Sequence, residues 1–154
     1  MPLQLAWQSA GEAPNDDYGY KCAWAGDVNG DGNDDFLVAA PGHDSNKGRL
    51  YLYYGSPKGL AEAPGWTADG EHAIDGFSKS MGGAGDLNGD GFDDIYAASP
   101  DYGQLVRGQG ALYVYYGGPN GPSKSPDWAK NGRVVDEIFG DCSSSHERRN
   151  SDSR

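Results

Sequence analysis

No run of 18 apolar residues occurs anywhere in the 154-residue chain, so it encodes no membrane-spanning helix. Cysteine is scarce: Cys22 and Cys142 stand alone, without a CxxC pair or a neighbouring ligand at zinc spacing, which argues against a zinc site. Basic residues are few, 12 against 23 acidic, for a net charge of −11. That balance argues against nucleic acid as a partner. No segment repeats its apolar residues every 3.6 positions, so almost no helix is expected. Residues 1–14, MPLQLAWQSAGEAP, lack the basic stretch and long apolar run of a secretory leader. No nucleophile elbow is present, and His43, His72 and His146 stand beside no plausible nucleophile, so no catalytic residue is assigned.

What the chain does contain is 25 Gly, 9 Pro and 10 Tyr with only 36% hydrophobic residues. This composition favours short strands joined by tight turns. The negative charge is also localised. Asp27, Asp31, Asp34, Asp35, Asp86, Asp90, Asp93 and Asp94 fall in two short stretches, and without those eight, 15 acidic residues face 12 basic ones. Such clustering is costly by self-repulsion unless a cation neutralises it.

The two stretches are copies. AGDVNGDGNDDFLVAAP begins at Ala25 and AGDLNGDGFDDIYAASP at Ala84, an offset of 59 that also relates Trp7 to Trp66, Asp16 to Asp75 and Tyr18 to Phe77. Downstream the offset is 62, relating LYLYYGSPKG from Leu50 to LYVYYGGPNG from Leu112, and Trp66 to Trp128. Three extra residues therefore lie between Pro100 and Gly110. A third copy begins at Trp128 and reaches Phe139-Gly140 without an acidic loop of its own.

Each unit reads as β structure. A small-residue segment leads into the acidic loop, a brief apolar strand (FLVAAP or IYAASP) leaves it, and a Tyr-rich strand follows. A fourth strand is expected around Trp7, Trp66 or Trp128, with those tryptophans packing between units. One ring of each pair, Tyr53-Tyr54 and Tyr115-Tyr116, should enter the core. Four short strands in about 60 residues is the size of a β-propeller blade. The fold class is therefore all-β, built from blades of four antiparallel strands, with partial repeats at both ends.

The acidic loops carry oxygen side chains in alternation. Positions one, three, five and nine are Asp27, Asn29, Asp31 and Asp35 in one loop, and Asp86, Asn88, Asp90 and Asp94 in the other. Glycine stands at position six, Gly32 or Gly91, where the chain must turn. Hard oxygen donors with a carbonyl at position seven, from Asn33 or Phe92, suit Ca²⁺; Mg²⁺ tolerates such irregular geometry less well. The loops are not EF-hands, since position twelve is Val38 or Ala97 rather than Glu. An Asp/Asn/Gly-rich turn that binds nothing is the plainer alternative; two complete copies in register argue against it.

These residues resemble FG-GAP repeats, the blades of the integrin α-subunit propeller. Repeats of that family run from FG through a DxDxDGxxD loop to GAP. Here Tyr18-Gly19 stands for FG and Ala39 to Pro41 for GAP; the second copy has Phe77 followed by Ser78, and Ala98 to Pro100. The resemblance implies two structural Ca²⁺ ions, one on Asp27, Asn29, Asp31, Asn33 and Asp35, the other on Asp86, Asn88, Asp90, Phe92 (by its carbonyl) and Asp94. Asparagine at position three, where the family more often has Asp, removes one formal charge.

The expected organisation is a strand in 1–17 completing another blade, blades at 18–76 and 77–133, the start of a third at 134–142, and a polar tail at 143–154. Two blades leave exposed edges. A larger propeller, a ring of copies or a head-to-tail filament would cover them. The expected function is a non-enzymatic, calcium-stabilised, extracellular or cell-surface adhesion module that self-associates. The alternative is a ligand-binding propeller fragment recognising protein or carbohydrate through loops such as Pro41–Gly48, which holds His43, and Pro100–Gly110. Cys22 and Cys142 are read either as small buried hydrophobes or as a disulfide, within or between chains, suited to an oxidising compartment.

Overall fold

The computed structural model describes residues 6–102 and 109–132. Two four-stranded antiparallel meanders make up its regular structure. The first holds β1 (Cys22–Gly26), β2 (Asp35–Ala40), β3 (Arg49–Tyr53) and β4 (Trp66–Asp69); the second holds β5 (Ser80–Gly85), β6 (Asp94–Ser99), β7 (Ala111–Tyr115) and β8 (Trp128–Asn131). All strands of the first sheet fall within 18–76 and all of the second within 77–133. The expected fourth strands begin at Trp66 and Trp128. Both acidic loops connect the first two strands of a sheet, and both sheets have a register irregularity just before the loop, at Gly26 and Gly85. These glycines have φ of +81° and +68°, a left-handed conformation that side chains with a Cβ adopt at a cost.

The core lies between the two sheets. Leu37, Leu50, Leu52 and Trp66 of the first sheet meet Met81, Ile95, Tyr113 and Tyr115 of the second, with Phe77 closing one end. β2 is buried at every residue but Phe36 and β6 at every residue but Tyr96, in keeping with their nearly unbroken apolar sequences. Full burial of each large side chain contributes about 1.5–3 kcal/mol. Trp66 packs edge-to-face on Tyr115, with centroids 5.1 Å apart, and its indole N–H donates to the Ser123 carbonyl at 3.1 Å. It bridges the sheets, as its place in the repeat suggests.

The outer face of the first sheet, with Val38, Tyr51 and Tyr53, is covered by Trp7 and Tyr18. Residues 6–17 pair with no strand, yet Trp7 stands where an outer-strand tryptophan would. Its ring lies 5.0 Å from that of Tyr53 and its indole N–H donates to the Ala61 carbonyl at 2.9 Å. Tyr53 and Ala61 are the repeat equivalents of Tyr115 and Ser123, so Trp7 treats the first sheet as Trp66 treats the second. Glu12 fastens the same segment, accepting hydrogen bonds from Arg49 Nη1 at 2.9 Å and the Tyr51 hydroxyl at 3.0 Å.

Cys22 departs from the reading as a buried hydrophobe: it is exposed and its thiol is free. Its repeat equivalent, Met81, is fully buried. Met81 faces a neighbouring sheet, whereas Cys22 lies on the outer face of the first sheet, where no sheet stands among the described residues. Cys142, His146 and Phe139-Gly140, with the expected third blade and tail, lie outside the described residues.

The one helical element among the described residues, α1 (His43–Asn46), is a left-handed turn: Asp44, Ser45 and Asn46 have φ of 48°, 60° and 64°. Such residues cost about 1–2 kcal/mol each. The turn aims the carbonyls of Ser45, Asn46 and Lys47 at the N–H groups of Ile74, Gly76 and Phe77, at 3.2, 2.9 and 3.2 Å. The strain is offset by stitching the first sheet to the lead-in of the second.

Candidate metal centres

Each acidic loop folds around its own side chains. In the first, Asp27 Oδ1 accepts from the Asp31 N–H at 3.0 Å and Oδ2 from Gly32 at 2.8 Å. Asn29 Oδ1 also accepts from Asp31, at 3.1 Å, and Asp31 Oδ1 accepts from Asn33 at 2.9 Å. The second loop repeats these four bonds. Asp86 accepts from Asp90 and Gly91 at 3.1 and 2.9 Å, Asn88 from Asp90 at 3.1 Å, and Asp90 from Phe92 at 3.0 Å. Sequence puts these oxygens on alternate residues, and left-handed Gly32 and Gly91, with φ of +87° and +93°, bring the chain back under them. Neither glycine has an atom within 4 Å of where a Cβ would lie, so backbone conformation rather than space calls for glycine.

Position nine behaves differently. Asp35 and Asp94 are both 0% exposed. Asp35 accepts from Val28 N–H on Oδ2 and Gly55 N–H on Oδ1, each at 2.9 Å. Asp94 accepts from Leu87 and Gly117 at 2.7 and 2.9 Å. Each carboxylate thus ties the start of its loop to the end of the third strand. Burial pushes Asp35 above the ordinary carboxylate range, the two backbone hydrogen bonds pull it down, and the nearby Asp31 and Asp27 charges push it further up. Hydrogen bonds from the Asn33 side chain and N–H hold Asp31 low, and the Gly91 N–H does the same for Asp86.

Among the described residues no three Asp, Glu, His or Cys side chains converge as a metal cluster. Each loop folds two carboxylates and an asparagine oxygen onto its own backbone N–H groups, and the position-nine carboxylate is buried between the loop start and the end of the third strand. A carboxylate oxygen has two lone pairs: Asp31 Oδ1 and Asp86 Oδ1 each accept two donors, whereas both Asp27 oxygens and Asp86 Oδ2 accept one and can take another partner. The donor set is all hard oxygen, which fits Ca²⁺.

Two features escape a reading of the loops alone. Asp93, at position eight, belongs to neither the expected donor set nor the core. Its carboxylate Oδ2 accepts from the Asp27 N–H at 2.9 Å while its own N–H donates to the Asp27 carbonyl at 3.1 Å. The Asp doublet that ends both loops is the only sequence trace of this bond. Asp16 and Asp75 are nearly buried in equivalent turns, accepting from the N–H groups of Ala13 and His72 at 3.2 and 2.9 Å. Each also lies against a histidine Nδ1: His43 at 2.9 Å from Asp16 and His72 at 3.3 Å from Asp75. His43 is thereby held in place as a half-buried loop residue.

Two four-stranded meanders packed face to face, with an acidic loop at the same corner of each, define a repeat protein of the β-propeller type. Comparison with known proteins agrees. The family described as FG-GAP-like repeat matches residues 27–97, and FG-GAP repeat matches 82–115; the chain belongs to the FG-GAP repeat family. It is 35% identical over 122 residues to integrin alpha-PS2 of Drosophila melanogaster, covering 71% of this chain and 8% of that protein. Integrin alpha-4 of Xenopus laevis is 34% identical over 104 residues, 66% of this chain and 10% of that one. Human phosphatidylinositol-glycan-specific phospholipase D is 34% identical over 122 residues, 70% of this chain and 14% of that one. The chain therefore spans only a small part of these relatives. Among the described residues no helix is long and apolar enough to cross a membrane.

Proposed function

We propose that the chain is a calcium-clasped pair of blades from an extracellular or cell-surface adhesion propeller, with no catalytic role of its own. The observation that carries this is the duplicated oxygen cradle, with the same four side-chain-to-backbone bonds, at equivalent hairpins of two packed sheets. Asp27, Asn29, Asp31, the Asn33 carbonyl and Asp35 hold one Ca²⁺; Asp86, Asn88, Asp90, the Phe92 carbonyl and Asp94 hold the other. The ion supplies positive charge that offsets repulsion among these carboxylates, fixing a hairpin between the first two strands of each blade. Integrin alpha relatives support the adhesion reading.

The ligand, protein or carbohydrate, is met by inter-strand loops. The left-handed turn supports this choice: Asp44, Ser45 and Asn46 are exposed and, with Asn15 and Pro14, line a polar cleft. The far face of the second blade, away from the first, is the surface through which further blades join. Head-to-tail joining of copies is a second reading, favoured by that same open face, but Trp7 already occupies the outer-strand place on the first blade.

Calorimetric titration of the chelated chain with Ca²⁺ tests the proposal. Two binding events are expected, one lost in Asp27→Ala and the other in Asp86→Ala. A chain that takes up no Ca²⁺ and melts at the same temperature in chelator would overturn it.

A further inference from the structure

The far face of the second blade repeats, residue for residue, a face that the first blade has buried. Leu50, Leu52 and Trp66 correspond to Leu112, Val114 and Trp128. The difference lies along the outermost strand: Leu112 is half-buried and Val114 buried, but Trp66 is 8% exposed and Trp128 44%, and β4 alternates buried and exposed residues whereas β8 is exposed throughout. The glycines agree. A Cβ on Gly26 would strike the Asp93 carboxylate and one on Gly30 the Phe92 ring, whereas their equivalents, Gly85 and Gly89, have no described atom within 4 Å. The Asp86 N–H, equivalent to the Asp27 N–H that binds Asp93, has no partner among the described residues.

The geometry points to a docking surface on the second blade that selects its partner, an inference resting on the reading of that face as the joining surface. The partner is another FG-GAP blade with three features. It carries an aromatic residue followed by Asp at loop positions seven and eight, the aromatic lying on Gly89 and the Asp reaching the Asp86 N–H. It offers a carbonyl to the Trp128 indole. It has glycine at the place of Gly83, whose missing Cβ would lie 2.9 Å from the Trp24 and Ala25 carbonyls of the first blade.

A second copy of this chain does not meet these terms. Its first blade has Asn33 and Asp34 at positions seven and eight, so the Asp is present but not the aromatic. Trp24 stands at the place of Gly83, with a large exposed ring, and Trp7 fills the site that Trp128 would enter. A charged change on the docking face, Lys130 in place of Ala68, lies on the outermost strand, where a long side chain can reach solvent. The surface therefore excludes the chain's own copies while accepting a blade built like the second one.

The test converts a copy into the missing partner. The triple variant Trp7→Ala, Trp24→Gly, Asn33→Phe removes each obstacle on the first blade and is examined by analytical ultracentrifugation in Ca²⁺, with circular dichroism reporting folding. The wild type is expected to stay monomeric, and the triple variant to associate head to tail at a Kd at least tenfold lower. Adding Leu112→Lys or Trp128→Ala should abolish that association. A folded triple variant that remains monomeric overturns the inference. If the triple variant does not fold, Trp7→Ser, Trp24→Gly, Asn33→Tyr, which clears the same three obstacles, is mixed with wild type: association lost with Leu112→Lys supports the inference and none overturns it. Acrylamide quenching of wild type against Trp128→Phe separates the two failures. An accessible Trp128 in a monomeric triple variant overturns only the partner rule, whereas a shielded one overturns the open joining face as well.

Discussion

Asp93 of the second blade holds Asp27 of the first by two hydrogen bonds, carboxylate to N–H at 2.9 Å and N–H to carbonyl at 3.1 Å. Asp27 is also the residue whose side chain organises the first acidic loop. The two loops are therefore linked directly, the end of one fixing the start of the other. Asp93→Ala should destabilise the chain by about 1–3 kcal/mol, the cost of leaving a part-buried N–H unpaired. It should also weaken Ca²⁺ uptake at the first loop more than at the second. Urea denaturation and calorimetry measure the two effects; equal weakening at both loops would refute the link.

Asp35 joins Val28 and Gly55 through its two oxygens, so neither can be replaced by a donor. Asp35→Asn removes an unfavourably buried charge but turns an NH2 group toward a backbone N–H. A loss of about 1–3 kcal/mol is expected in chelator, growing in Ca²⁺ as the variant loses a ligand. A variant as stable as wild type in chelator would show that burial of the charge, not the two bonds, dominates this site.

Gly26 and Gly85 occupy equivalent places and both are left-handed, but only Gly26 abuts a neighbouring blade. Gly85→Ala should cost about 1–2 kcal/mol for backbone conformation alone. Gly26→Ala must in addition displace Asp93 and should cost at least about 1 kcal/mol more. Thermal melts of the two variants compare them. Equal losses would mean that Gly85 also has a neighbour in solution.

The N-terminal segment should loosen in acid. The Tyr51 hydroxyl and then the Arg49 guanidinium hold Glu12 below the ordinary carboxylate range. A depressed folded pKa means that the stabilisation is present above the unfolded value, about 4.3, and is lost as pH falls below it through the folded value. The protection factors of residues 7–18, with the intrinsic pH dependence of exchange divided out, should therefore fall at low pH, and Glu12→Gln should show the lower protection already at neutral pH. Identical exchange in wild type and variant would remove Glu12 as the fastening.

Much of the candidate site was legible because the loop chemistry is local. Alternating Asp and Asn with glycine at position six dictates one turn, and two copies gave two matching networks. The strands too were written in short apolar and Tyr-rich runs between Gly and Pro. Asp93 was not legible as a clip, since its partner lies 66 residues away and a doublet of aspartates reads equally well as a solvated turn. The left-handed turn at Asp44 to Asn46 was equally hidden, because its stabilising partners belong to the lead-in of the next blade.

The sequence by itself determined the repeat, the strands and the side chains that cap the backbone of each acidic loop, because turn and pairing preferences act over a few residues and equivalent segments adopt equivalent shapes. Only the tertiary structure decided which copy of each residue is covered. Met81 is buried and Cys22 exposed, Trp66 sealed and Trp128 bare, Gly26 filled and Gly85 open. Burial depends on what packs against a face, and that neighbour comes from a distant part of the chain, beyond the reach of any local pattern.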